Sequence, residues 1–260
     1  MKLHSTRLNG KKVKGAAGMK AILYIGHGTR SRKGADEARA FIQRIIARID
    51  VPIQEMSFLE LAEPLIEDGF RHCVERGAAE ITVVPLFLLA AGHIKEDIPN
   101  ELARLREKYP YVKVKVKDPF GVQGNILDGL AELVNEEAGT LTAKDSILLV
   151  GRGSSDPDIL ADFANIVDGI RNRLGINRVS VCYLAAAEPR FDEGLETVCN
   201  DAAGRVIVVP YLLFSGLLLT EVAQKVRKKE KEGYSIIHTG QLSRHHVIED
   251  VIIKRAIEDE

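Results

Sequence analysis

From Met19 onward, short runs of apolar and β-branched residues alternate with stretches in which apolar positions recur every three or four residues. That alternation predicts an α/β protein, each unit a mostly parallel sheet flanked by helices, because parallel strands are joined by helical crossovers. Ala21–Ile25 is the first predicted strand, followed by Ile53–Leu59, Glu80–Leu88 and Val112–Val116. Between the first two, Ala38, Phe41, Ile42, Ile45, Ile46 and Ile49 share one side of a helix drawn over Ala35–Ile49, the side that packs on the sheet. The next helices are predicted to start at Glu63-Pro64 and Ile98-Pro99, since proline's fixed φ and missing N–H suit a first helical turn.

The pattern then occurs a second time. Gly26-His27-Gly28 is matched by Gly151-Arg152-Gly153, and 151 minus 26 is 125. Glu63-Pro64 and Glu188-Pro189 stand at the same offset, as do Val83-Val84-Pro85-Leu86 and Val208-Val209-Pro210-Tyr211. One offset shared by separated blocks marks an internal repeat. The chain therefore reads as two similar lobes, 19–141 and 142–260, with a ligand expected in the crevice between them. Residues 1–18 carry Lys2, Arg7, Lys11, Lys12 and Lys14 but no apolar segment of the signal-peptide kind, and are expected to form a disordered extension.

Composition narrows the classes of function. Hydrophobic residues at 45% and charged residues at 28% are enough to build a core. Lys+Arg at 36 against Asp+Glu at 37 leave a net charge of -1, so no global field gathers nucleic acid or an anionic membrane. The longest apolar stretches, Ile81–Gly92 and Val206–Leu219, fall short of the roughly 18–20 residues of a membrane span, and each contains proline. Cys73, Cys182 and Cys199 form no CxxC pair, which points away from a disulfide framework or a thiolate zinc site and toward a reducing cytoplasm.

The differences between the halves carry the chemistry. At the common offset, His27 faces Arg152, Glu60 faces Ala185 and His93 faces Leu218. His27, Glu60 and His93 each stand at or just beyond the C-terminal end of a predicted strand, so parallel strands bring all three to one carboxyl edge, where α/β sheets bind ligands. Two neutral imidazoles and a carboxylate suit a divalent first-row metal held loosely rather than in a closed structural site. A single histidine after a strand is commonly a satisfied loop residue; the three together argue for a site. His72, His238, His245 and His246 lack a matching carboxylate pattern and read as structural or solvent-exposed.

Other residues extend this picture. Arg30, Arg32, Lys33, Lys95 and Arg152 would line the crevice with positive charge suited to a carboxylated ligand. Arg30, Lys95, Arg152, Ser154 and Ser155 are the candidate substrate-binding residues. The ends of Leu86–Ala91 and Tyr211–Leu219 would wall a flat ligand. The glycine pattern of a nucleotide loop is incomplete, with Ser31 and Asp156 where glycine is needed, and Ser154 and Ser155 have no histidine partner for a hydrolase triad. Asp156-Pro157 reads as a helix N-cap followed by proline in the first turn.

Four segments together resemble the class II chelatases of tetrapyrrole biosynthesis, most closely the two-lobed sirohydrochlorin ferrochelatases and their cobalt-inserting relatives. They are Ile22–Arg30, Ser57–Pro64, Val83–His93 with Asp97-Ile98-Pro99, and Gly151–Pro157. The resemblance implies ATP-independent insertion of a divalent metal, Fe2+ or Co2+, into sirohydrochlorin, with His27 and His93 as metal-binding residues and Glu60 as their acidic partner. It implies one site, in the first lobe, since the second has Arg152, Ala185 and Leu218. The metal is then a substrate and no tightly bound cofactor is expected; nor is a nucleic-acid or membrane partner, and the protein is expected to be a monomer or homodimer. Neither the histidine-rich tail nor the iron–sulfur cysteine motif of cobalt-inserting relatives is present, which favours iron. The alternatives are a cobaltochelatase of the anaerobic cobalamin pathway and a non-catalytic tetrapyrrole or metal carrier. A precorrin methyltransferase would need a methyl-donor glycine loop that the sequence lacks.

Overall fold

The computed structural model describes residues 18–258. The extension expected over residues 1–18 lies, up to Ala17, outside them. In the first half, β1 (Met19–Gly26) sits between β2 (Ile53–Phe58) and β3 (Ala78–Pro85), and β4 (Lys113–Val116) pairs with β3. All pairs are parallel, in the order β2-β1-β3-β4. In the second half, β5 (Ser146–Gly151), β6 (Val179–Tyr183), β7 (Val206–Pro210) and β8 (Ile236–His238) repeat the arrangement as β6-β5-β7-β8. β5, like β1, is apolar on both faces because helices cover both faces of its sheet.

The helices are α1 (Arg32–Ile46), α2 (Ile66–Glu75), α3 (Ile98–Lys108), α4 (Gly124–Ala138), α5 (Pro157–Leu174), α6 (Phe191–Asn200), α7 (Leu217–Lys231) and α8 (His246–Ile257). α1 begins three residues before the predicted Ala35, where Ser31 Oγ accepts from the Gly34 N–H at 3.2 Å. The polar first turn Arg32-Lys33 carries no apolar position, so the periodicity did not register it. Ile49 is buried, but in the connection after the helix. α2 begins two residues after Pro64, which belongs instead to a loop with a cis Glu63–Pro64 bond. There the Pro64 carbonyl accepts from the Phe58 N–H at 2.8 Å, and Leu65 is still extended. α3 does carry Pro99 in its first turn, but a single π turn over His93–Asp97 runs into it without a break. β3 stops at Pro85, short of the predicted Leu88.

The two sheets are locked together by an exchange of helices. α8, the last helix, contacts β3 and α1 of the first sheet, while α4 contacts α5, β7 and β8 of the second. Arg44 of α1 and Arg48 just beyond its end bond to Glu249 at 2.9 and 3.0 Å, and Arg48 bonds to Asp250 at 2.9 Å. Lys117 donates to the Glu258 carbonyl at 2.6 Å, and on α4 Asp128 accepts from Arg173 of α5 at 2.6 Å. One apolar core consequently runs between the sheets, joining Tyr24, Phe41 and Ile42 of the first half, Ile126 and Leu130 of α4, Phe163 and Ile166 of α5, and Ile248 and Ile252 of α8. Separate clusters lie under α2 and α3 on one outer face and under α6 and α7 on the other. Among the described residues no helix is long and apolar enough to cross a membrane.

A shared core implies shared unfolding. Ile252→Ala, at a fully buried position, is expected to cost about 2–5 kcal/mol. Urea titration followed by 19F NMR of fluorotyrosines should show Tyr24 and Tyr211, one in each half, losing structure at the same lowered midpoint; loss confined to one of them would contradict the interlock.

Candidate active site

β1 ends at Gly26, and the chain turns away through His27-Gly28. Gly28 has a φ of 93°, and a Cβ built there would lie 1.7 Å from the Glu60 carbonyl oxygen, so only glycine fits. This close approach lets the loop after β2 run along the loop after β1. The Leu59 N–H donates to the Gly26 carbonyl at 2.8 Å and the Glu60 N–H to the His27 carbonyl at 3.1 Å, which places His27 and Glu60 side by side. The second lobe repeats the device: Gly153 has a φ of 90°, its Cβ would meet the Ala185 carbonyl at 1.7 Å, and Ala185 N–H donates to Arg152 carbonyl at 2.7 Å. The turn therefore belongs to the fold and tolerates Arg152 and Ala185. Nothing in it demands a histidine or a glutamate.

His93 arrives from the third strand, opening the π turn that follows the loop after β3. Its Nε2 lies 3.1 Å from His27 Nε2, and Glu60 Oε1 lies 3.7 Å from the same His27 atom. The two rings meet edge-on, with centroids 4.7 Å apart, and Phe87 flanks both at 6.3 and 6.4 Å. His93 Nδ1 is 2.7 Å from Asp97 Oδ2, and His27 Nδ1 is 3.1 Å from the Gly28 carbonyl. The histidine side chains are 30% and 28% exposed, which leaves them open to a ligand.

Burial, foremost, lowers the His27 pKa; His93 and Arg152 lower it further, while the Gly28 carbonyl and Glu60 pull the other way. His27 is therefore a neutral imidazole at neutral pH, with a lone pair available to a metal or a proton. Arg152 acts on His27 from the second lobe, and nearby Lys95 reaches Asp156 of that lobe at 2.7 Å, so the two sets of loops lie against one another here. Among the described residues no three His, Cys, Asp or Glu side chains form a finished metal cage. The arrangement is an open pair of imidazoles with a carboxylate beside it.

The substrate-binding candidates are distributed around this pair. Lys95, two residues beyond His93, reaches across the lobes to Asp156 Oδ2 and Asp158 Oδ2, both at 2.7 Å. Those carboxylates, Asp156 first, raise its pKa and keep it an ammonium ion. Lys95 is thus already engaged as a tie between lobes, a role the sequence reading did not find. Asp156 caps α5 as expected, accepting from the Asp158 N–H at 3.0 Å, and Ser154 Oγ accepts from the Asp156 N–H at 3.1 Å. Arg30, Arg152 and Ser155 are exposed at the two loops. Leu61 and Leu217 are also exposed, at 45% and 62%. The segment before Leu217 reaches the first lobe: a Cβ on Gly34 would come within 2.4 Å of the Ser215 carbonyl.

The remaining histidines need one correction. His245 shows no matching carboxylate in the sequence, but it caps α8 and its Nε2 is 2.9 Å from Glu132 Oε2. Glu132 is 113 positions earlier, on the exchanged helix α4, so no local spacing announced it. Burial lowers the His238 pKa, and His72 lies within α2. In the sequence Asp97 stands only within a segment that carries the resemblance, four residues after His93, with no role assigned to it.

Two four-stranded parallel sheets packed through one shared apolar core, each wrapped by helices, define a two-lobed chelatase fold. The chain belongs to the CbiX family, whose model matches it twice, over residues 21–137 and 146–259. It is 44% identical over 227 residues to the sirohydrochlorin ferrochelatase of Priestia megaterium, covering 87% of this chain and 85% of that one. The sirohydrochlorin ferrochelatase of Bacillus subtilis is 37% identical, covering 92% of this chain and 91% of the relative. A sirohydrochlorin cobaltochelatase of Priestia megaterium is 32% identical, covering 92% and 80%. Among solved structures, SirB from Bacillus subtilis with Fe3+ superposes with a TM-score of 0.80 at 36% identity, covering 91% of this chain and 94% of that one.

Arg152 disfavours the imidazolium form of His27, so Arg152→Ala should raise the His27 pKa toward the ordinary value. In an NMR pH titration the wild-type His27 midpoint is expected below about 6.5 and that of Arg152→Ala above the wild-type midpoint; a fall on substitution would contradict the facing of the lobes.

Proposed function

We propose that this chain is a sirohydrochlorin ferrochelatase, inserting Fe2+ into sirohydrochlorin without ATP to give siroheme. The observation that carries the reading is the 3.1 Å approach of His27 Nε2 to His93 Nε2, with Glu60 at 3.7 Å, on the carboxyl edge that faces the second lobe. The relatives named ferrochelatase, at 44% and 37% identity, support iron over cobalt, since the relative named cobaltochelatase stands at 32%. In this reading lobe 19–141 carries the single site and lobe 142–260 supplies the opposing wall.

Insertion exchanges one divalent ion for the two protons on the macrocycle's inner nitrogens. His27 and His93 take the ion through their Nε2 lone pairs as it loses water; Glu60 beside them balances the ion's charge or accepts one macrocycle proton, and the imidazoles, freed as the ion passes on, or solvent take the remainder. Two imidazoles without a completed cage hold an ion firmly enough to strip water and loosely enough to pass it on. Arg30 and Arg152, with Ser154 and Ser155, meet the carboxylates of the macrocycle, and the exposed Leu61 and Leu217 meet its flat apolar face. Closure of the lobes over the tetrapyrrole excludes water and bends the ring. The metal is consumed as a substrate, so the reaction needs no resident cofactor. The reading places the activity in a reducing cytoplasm, in keeping with the buried, unpaired Cys73, Cys182 and Cys199, and in a monomer or homodimer.

Anaerobic absorbance of sirohydrochlorin with Fe2+ or Co2+ tests this directly. Wild-type protein should accelerate the spectral conversion, more with Fe2+ than with Co2+, and His27→Ala and His93→Ala should each lose at least about 100-fold of the acceleration while keeping the wild-type circular dichroism. Full activity in both variants would sink the site. Preference for Co2+ would move the chain to the cobalt branch, and binding of macrocycle without acceleration would make it a carrier.

A further inference from the structure

The groups behind the two histidines decide which nitrogens face the ion. Asp97 Oδ2 lies 2.7 Å from His93 Nδ1, and an ionised carboxylate can only accept, so the proton of that contact sits on Nδ1. In the neutral ring this leaves Nε2 as a lone pair. The Gly28 carbonyl, also an acceptor, lies 3.1 Å from His27 Nδ1 and makes the same assignment there. Both Nε2 atoms then present lone pairs to the same space, 3.1 Å apart. Between two neutral rings a direct hydrogen bond would require one of them to move its proton to Nε2 and give up its partner. The Asp97 contact is the shorter and the charge-assisted one, so His93 is the more firmly fixed.

The repeat supplies an independent control. At the common offset of 125, His93 corresponds to Leu218 and Asp97 to Val222, because 222 minus 97 is also 125. Where the histidine is absent the aspartate is absent as well, and Val222 is simply a buried core residue. The π turn needs no carboxylate at its end for capping, since Asp97 makes no side-chain cap bond to α3. Among the described residues His93 is the partner that the Asp97 side chain has.

We propose that Asp97 is a positioning residue that holds His93 in the Nδ1–H tautomer, so that its Nε2 is a permanent acceptor for the incoming divalent ion. The inference rests on the chelatase reading for its purpose, but its test does not. Long-range 1H–15N NMR of the metal-free, full-length protein labelled with 15N-histidine should show His93 protonated on Nδ1 in the wild type. Asp97→Ala should shift it to the Nε2–H form or to an exchanging mixture, and should weaken Co2+ binding, followed by visible absorbance, by about 10–100-fold. Asp97→Asn keeps the shape and removes the charge; it should shift both readouts in the same direction by less, and it serves if Asp97→Ala does not fold. An Nε2–H tautomer in the wild type, or a tautomer unchanged in both variants, overturns the proposal whatever the insertion activity. If the tautomer shifts as stated while wild-type protein fails to insert metal, the assignment of Asp97 stands and the chelatase reading falls.

Discussion

Neither sheet can bury its inner face with helices from its own half alone. α8 ends the chain but covers the first sheet, and α4 closes the first half but packs on the second, so the apolar layer between the sheets is built jointly. This mutual burial is what fixes the two carboxyl edges opposite one another. Ion pairs also join the exchanged helices to their hosts, Arg44 and Arg48 to Glu249 on one side and Arg173 to Asp128 on the other. The inter-lobe tie at Lys95 and the influence of Arg152 on His27 both follow from that mutual burial.

On that duplicated frame the chemistry is asymmetric. The glycine turns at Gly28 and Gly153 are superimposable in their constraints, each admitting no side chain because a carbonyl lies against it. One turn carries His27 beside Glu60 and the other carries Arg152 beside Ala185. The first lobe thus supplies lone pairs and the second supplies positive charge, which discourages protonation of His27 and suits an anionic macrocycle above it. A site divided in this way can take a cation from one wall and a polycarboxylate from the other, the two substrates that a metal chelatase must bring together.

Much of this was legible in the sequence. Strand and helix alternation gave the parallel sheets, and the offset of 125 exposed the repeat, because blocks such as Val83-Val84-Pro85 report the local fold directly. The juxtaposition of His27, Glu60 and His93 followed from three strand ends on one parallel sheet. What stayed hidden depended on partners distant in the chain. The apolar face of α8 reads the same whichever sheet it covers, so the exchange of helices left no trace in the periodicity. Lys95 looked like a free cation because Asp156 and Asp158 lie 61 and 63 positions away. Asp97 stood in a segment that carries the resemblance, but its contact with His93 was hidden, since a π turn cannot be told from an α turn by composition. Pro64 looked like a helix opener, and the loop bonding of its carbonyl to Phe58 is invisible without the neighbouring strand.

The central claim is that the ion is met by His27 and His93 together. Cobalt K-edge X-ray absorption on the full-length protein, loaded with a single equivalent of Co2+, addresses it without requiring turnover. The spectrum should contain the multiple-scattering signature of two imidazoles, reduced to one in His27→Ala and in His93→Ala and absent from the double variant. The same imidazole coordination in the double variant would place the ion elsewhere and contradict the account.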